Sequence, residues 1–216
     1  ENGRAKRVWG AEPDITDVWF VKGRKWYVSG SRPGEKPGEF MNPVDVETIP
    51  GWPDKEFDGF AVIDARGRVQ IFDGEGRQLI SWTVQTEEQA EPKVGGQAYL
   101  VWVPKHKQLV AIIRDVAVVF SLDSEELSRF EISDGTPNAV EALPNGKLLM
   151  VYGGDVVRYH LDGFRHGVVI PKQPFGMGFE DVDMAVDEKG KLWAVTDTGW
   201  VYKFKRPGKV EFKVRV

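Results

Sequence analysis

The chain has 216 residues, 41% of them apolar, with 33 acidic against 29 basic side chains and a net charge of −4. That composition suits one folded domain with a large core and excludes a disordered chain. The mild acidity argues against a nucleic-acid partner, no apolar run is long enough to span a bilayer, and the lack of cysteine excludes disulfides, zinc ribbons and thiol nucleophiles.

In chain order, Arg4, Lys6 and Arg7 form a small basic cluster that reads as a solvated terminus. The first residue is Glu1 and not a methionine, so a removed leader or neighbouring segment is expected, and with it a periplasmic or extracellular protein. Residues 17–31 (DVWFVKGRKWYVSGS) hold two short apolar runs around a Gly-containing turn, and a further strand is expected around Arg7–Trp9. Residues 59–84 (GFAVIDARGRVQIFDGEGRQLISWTV) contain three runs rich in β-branched and aromatic residues, separated by glycine turns. Residues 109–132, 148–170 and 191–216 repeat the layout, and each block follows one more apolar segment, at 43–49, 98–104, 139–144 and 182–187.

Four short strands per unit, repeated, make the blade of a β-propeller. The expected fold is an all-β, single-domain β-propeller of about five four-stranded blades, near 7–31, 39–84, 97–133, 137–170 and 180–216, the N-terminal one incomplete. A truncated six-bladed propeller is the alternative. Phe72, Leu122, Leu161 and Phe204 are expected to close the third strand of successive blades, with Val21 in the same place in the first. The aromatic residues Phe72, Trp82, Trp102, Phe120, Tyr159, Trp193 and Phe204 read as filling between blades. Asp73–Gly76 and Asp162–Gly163 read as tight turns, not phosphate loops, because no Lys-Ser/Thr pair or helix follows.

Residues 34–84 resemble an NHL repeat through the approach Pro37–Phe40, the inner strand Pro43-Val44-Asp45-Val46, and the turn and third strand Ala65–Asp73, which keep Arg68 and Phe72 but lack the usual Asn. The last blade is a weaker match, through Asp183–Gly190 and Thr196–Gly199. The resemblance implies an NHL-type propeller. It departs from the family where Gly51–Asp58 lengthens the first hairpin, which is expected to put Trp52 and Pro53 on an exposed loop. An incomplete first blade leaves an open strand edge, so assembly through that edge, including a homo-oligomer, is expected as one way to complete it.

The three histidines, His106, His160 and His166, occupy different places in the repeat and are not expected to share a site. No Gly-x-Ser-x-Gly elbow or His-Glu-x-x-His motif is present, and Asp181–Asp187 fails the EF-hand pattern. Asn42, Asp45, Gln97, Asn138, Glu141, Asp181 and Asp183 fall at the entries to innermost strands, so they form the candidate binding set at a central channel, with Trp52 beside them as a loop anchor or a carbohydrate contact. Channel-lining residues bound to water, with no cofactor, is one reading. A channel calcium ion, with the metal-dependent lactonase-like hydrolase or lyase that the propeller resemblance implies, is the other. The expected function is a non-catalytic scaffold presenting a protein- or ligand-binding face, with a protein as partner. Long loops at 32–43, 50–58, 85–96 and 171–180 are expected on one face of it.

Overall fold

The computed structural model describes residues 17–21, 24–28, 34, 36, 38–53, 58–84, 97–171, 182–187, 189–196, 198–206 and 209–215. These residues form eighteen strands and no helix. The chain divides into two compact units, residues 1–102 and 103–216.

The first unit begins with the hairpin β1 (Asp17–Val21) and β2 (Arg24–Val28), paired from Asp17↔Val28 to Val21↔Arg24. The strand expected near Arg7–Trp9 lies outside the described residues. A sheet in the order β3 (Pro43–Pro53), β4 (Asp58–Asp64), β5 (Arg68–Phe72), β6 (Gln78–Thr83) follows, every neighbouring pair antiparallel. The unit boundary falls at the end of β7 (Ala98–Val103), which opens the third sheet. The second unit continues that meander through β8 (Gln108–Ile113), β9 (Val116–Phe120) and β10 (Glu126–Glu131). It then builds a fourth sheet from β11 (Ala139–Ala142), β12 (Leu148–Tyr152), β13 (Asp155–Tyr159) and β14 (Arg165–Ile170). The fifth sheet is β15 (Val182–Val186), β16 (Leu192–Thr196), β17 (Trp200–Arg206) and β18 (Lys209–Arg215).

Burial explains why the sequence reads as it does. Middle strands such as β4, β5, β8 and β9 are buried along nearly their whole length, which requires continuous apolar runs covered on both faces. The fourth strands β6 and β10 alternate between partly buried and exposed positions over most of their length, so Ile80, Trp82 and Phe130 sit on the covered face while Leu79 and Leu127 are exposed.

The hairpins share one device. Asp64 Oδ1 accepts the backbone N–H groups of Arg66 and Arg68 at 3.0 and 3.1 Å, and Asp73 Oδ1 accepts those of Glu75 and Arg77 at 2.9 Å each. Asp187 Oδ1 does the same for Lys189 and Lys191 at 3.0 and 2.8 Å, and Ser121 Oγ for Asp123 and Glu125 at 3.2 Å each. The carboxylate bonds two amides that a tight turn leaves without strand partners. The fourth residue of each turn has positive φ: 76° at Gly67, 82° at Gly76, 72° at Gly190 and 68° at Ser124. The sequence Asp-x-x-Gly-(Arg/Lys) is therefore this turn written out.

Two expectations on register are corrected. The third strands of the third and fourth sheets close at Phe120 and Tyr159, not at Leu122 and Leu161, which sit half-buried in the following turns. Phe72, Phe120, Tyr159 and Phe204 are the equivalent set, exposed by only 3%, 4%, 1% and 1%. The first three face Phe60, Leu109 and Leu148 across the ladder, and Phe204 follows the Trp193↔Lys203 pair by one residue. Among the expected filling aromatics, Trp102 is also buried, whereas Trp82 and Trp193 are only half-buried.

Gly51–Asp58 departs from expectation as well. β3 continues through Pro53, which pairs with Asp58, with a register shift after Ile49. This hairpin lies at the opposite end of its sheet from Pro43, so it does not share a face with the loop that enters β3. Trp52 is half-buried against its own hairpin. A Cβ on Gly59 would lie 2.7 Å from the Trp52 carbonyl and 2.8 Å from that of Phe72, so only glycine fits beneath that crossing.

In the same sheet, Arg68 and Gln70 hold the preceding loop. Arg68 Nη2 donates to the carbonyls of Gly34 (2.8 Å) and Glu39, and Gln70 Nε2 donates to Glu39 at 2.7 Å. Phe40 is thereby seated in a cluster with Val46, Phe60, Val62 and Phe72, where Phe60 and Phe72 stack at 4.9 Å.

Candidate functional site

The residues expected at a channel are placed as follows. Asp45, on β3, accepts the Val46 N–H at 2.8 Å through Oδ1 and the Leu100 N–H of β7 at 2.8 Å through Oδ2. It thus ties the first strand of one sheet to the first strand of the next. Asp183, on β15, is exposed and accepts the Met184 N–H at 2.8 Å, the local half of the same arrangement. Asn42 is exposed with φ 62°, its carbonyl accepting the Ala65 N–H at 2.9 Å. Gln97 is exposed, Glu141 is half-buried on β11, and half-buried Asn138 takes the Gly153 N–H at 3.4 Å. Asp181 lies outside the described residues, as do the expected loops 85–96 and 172–180. Among the described residues, no three His, Asp or Glu side chains gather as metal ligands would.

A different place gathers chemistry. A cavity of about 530 Å³ opens between the fourth and fifth sheets, both in the second unit. Its apolar lining is Leu143, Leu149, Val169, Ile170, Leu192 and Phe204. These belong to, or pack on, the core cluster shared by the two sheets, so the cavity is the unfilled mouth of that core. Arg158, Lys189 and Lys205 also line it, with Asn145. No carboxylate is among the described lining residues. Arg158 Nε is buried and has no hydrogen-bond partner among the described residues. A guanidinium N–H removed from water without an acceptor is costly, so the arrangement favours an anion that supplies one.

Beside the cavity the histidine expectation is corrected. His160 and His166 have ring centroids 5.7 Å apart, and Phe164 meets them edge-on at 5.6 and 6.3 Å. The β13–β14 turn folds His166 back, and a register shift between Arg158 and Tyr159 completes the approach. His160 Nε2 is buried with no partner among the described residues. Burial first, then the positive charges of Arg158 and Lys147 and the neighbouring His160, push the His166 imidazole below its ordinary value. Phe164 is 61% exposed, the most exposed of the large apolar side chains among the described residues. His106, by contrast, packs at Gly146.

On the other side of the fourth sheet, Asp134 Oδ2 accepts Tyr159 Oη–H at 2.5 Å and Arg165 Nε–H at 2.6 Å. The bond from Arg165, with that from Tyr159 and against partial burial, holds the Asp134 carboxyl below the usual carboxylate range. A depressed folded-state value stabilises the protein above the unfolded value near 3.9 and is lost as pH falls through the folded one. With Arg165 and Asp134 39% and 25% exposed, solvent screening limits the effect. Asp134→Asn is expected to cost about 1 kcal/mol at neutral pH. Urea titrations from pH 7 downward should show the two proteins converging below about pH 4.

Sequence reasoning missed Arg158. Its signal was partial: the equivalent positions of the second and third sheets hold buried Ile71 and Val119, whereas the fifth sheet, like the fourth, has a cation there, Lys203.

The chain is similar in structure to several solved proteins. It aligns with Saccharomyces cerevisiae Sqt1 at a TM-score of 0.59 and 14% identity, over 88% of this chain and 52% of that one. It aligns with the β-propeller domain of Myceliophteria thermophila Cps50 (Swd1) at 0.56 and 13%, over 94% and 60%. The fold is a β-propeller. A third propeller-type relative by shape, the WD40 domain of Neurospora crassa Pan2, aligns at 0.54 and 10%, over 81% and 50%. This propeller chain spans between half and three fifths of the length of those three. No protein-family model and no curated protein matches it.

Proposed function

We propose that this propeller is a non-catalytic, NHL-type scaffold that binds a protein partner outside the cytoplasm. One observation carries the reading: the cavity between the fourth and fifth sheets offers apolar surface and cations, with no nucleophile and no carboxylate acid–base pair among the described lining residues. Meanwhile Asp64, Asp73 and Asp187 are committed to turn amides and Asp45 to two strand amides, so these acids serve the blades. WD40-like propellers, which it resembles in shape, are typically protein-interaction scaffolds. The NHL resemblance of residues 34–84 agrees with this use, and pairing through the edge of the β1–β2 hairpin is a route to self-assembly.

A turnover screen tests the non-catalytic part. The chain, assayed with lactones and esters in the presence of added calcium or zinc, is expected to show no saturable hydrolysis. Saturable turnover that disappears in Asp45→Ala or Asp183→Ala would instead establish the channel as an active site.

A further inference from the structure

We infer that the cavity between the fourth and fifth sheets is a recognition site for a short acidic peptide segment, a carboxylate flanked by bulky apolar side chains. The inference rests on the scaffold reading above and names what that scaffold selects. Three features of one place converge on it. The floor is apolar, formed by the buried residues Leu149, Ile170 and Phe204. The walls carry Arg158, Lys189 and Lys205, and no described lining residue carries negative charge. Arg158, on one of those walls, has a buried Nε–H with no acceptor among the described residues.

The chemistry of that donor set selects the ligand. A guanidinium with Nε free can grip a carboxylate through Nε and Nη in the two-point geometry that a lysine cannot supply. A small hydrated anion would leave the apolar floor wet, whereas an apolar residue next to the acid would cover it. The positive field does not stop at the cavity. Lys147 and Arg158 both act on His166, and His166 meets the exposed Phe164 ring. A charged and aromatic surface of this kind suits an extended peptide. A peptide seated there would bring the Arg158 donor its acceptor while adding contact to Phe164.

The test uses the intact chain and a fluorescein-labelled peptide, Ser-Ile-Asp-Trp-Glu-Val-Ser, read by polarisation. An isosteric control carries Asn and Gln at the acidic positions, and a second carries Lys there. The acidic peptide is expected to bind saturably and to weaken with added salt. Arg158→Gln and, separately, the exposed double change Lys189→Gln with Lys205→Gln should each raise Kd about tenfold. The double variant alters only exposed side chains, so its result stands even if Arg158→Gln perturbs folding. Equal binding of the amide control, or binding unmoved by the double variant, would overturn the acidic-peptide inference while leaving a peptide-binding scaffold intact. Binding by none of the three peptides would also overturn it. The scaffold reading itself falls only to the turnover screen above or to a failed selection with random peptides.

Discussion

Replacing Asp64 with alanine should destabilise the protein by about 3–5 kcal/mol, more than any other single polar change in the first unit. Asp64 is fully buried, with its carboxyl group at the centre of four donors. Its Oδ1 holds the amides of Arg66 and Arg68, and its Oδ2 takes the Met41 amide at 3.1 Å and lies 3.3 Å from Arg68 Nε. Truncation would leave three backbone N–H groups and a 14%-exposed arginine without their acceptor. The loss would spread, because Arg68 also holds the loop carbonyls of Gly34 and Glu39 and so positions Phe40 in the core. Asp64→Asn keeps one acceptor oxygen and should lie between the two. Urea denaturation of the three proteins checks the order. A cost below about 1 kcal/mol for Asp64→Ala would mean the hub is not a hub.

Phe204→Ala should cost about 3–5 kcal/mol for a different reason, the loss of a buried ring and the hole it leaves. Phe204 is 1% exposed, stacks with Tyr202 at 6.4 Å, and belongs to the core cluster that joins the fourth and fifth sheets. It also lines the cavity, so truncation would enlarge an existing void, where collapse is hardest. The comparison is Val214→Ala on β18, whose side chain is 49% exposed and should change stability by less than about 0.5 kcal/mol. Thermal unfolding of both variants separates the two cases. A Phe204→Ala protein as stable as Val214→Ala would contradict the packing described for that sheet pair.

How much of this was legible in the sequence depends on which force writes each feature. Strand order was readable because several hairpins are marked by their turn chemistry. DARGR, DGEGR and DEKGK each combine a capping carboxylate with a glycine at positive φ. Register was readable only where the aromatic ends its strand directly at such a turn, as Phe72 does before Asp73. In the next two sheets the turns begin at Ser121 and His160, and Leu122 and Leu161 imitate a strand end two residues late. The role of Asp45 was half-visible. Its place on the first strand could be read, but its bond to Leu100 depends on how neighbouring sheets stand side by side.

The His160–His166 pair escaped for a related reason. Spacing in the repeat separates the two positions, and a shift of register across one hairpin brings the rings together. The cavity depends on lateral packing between sheets, which no periodicity encodes. Arg158 is a partial sign of it, a cation where the second and third sheets have Ile71 and Val119, although Lys203 holds the same place in the fifth.

The proposed scaffold role rests on this propeller binding a protein segment. The most direct measurement is a selection of random peptides displayed on phage against the immobilised intact chain, with winners resynthesised and competed against one another. An enriched family of peptides that bind saturably and compete for one site is expected. No enrichment after repeated rounds, under conditions where the chain remains folded, would contradict it.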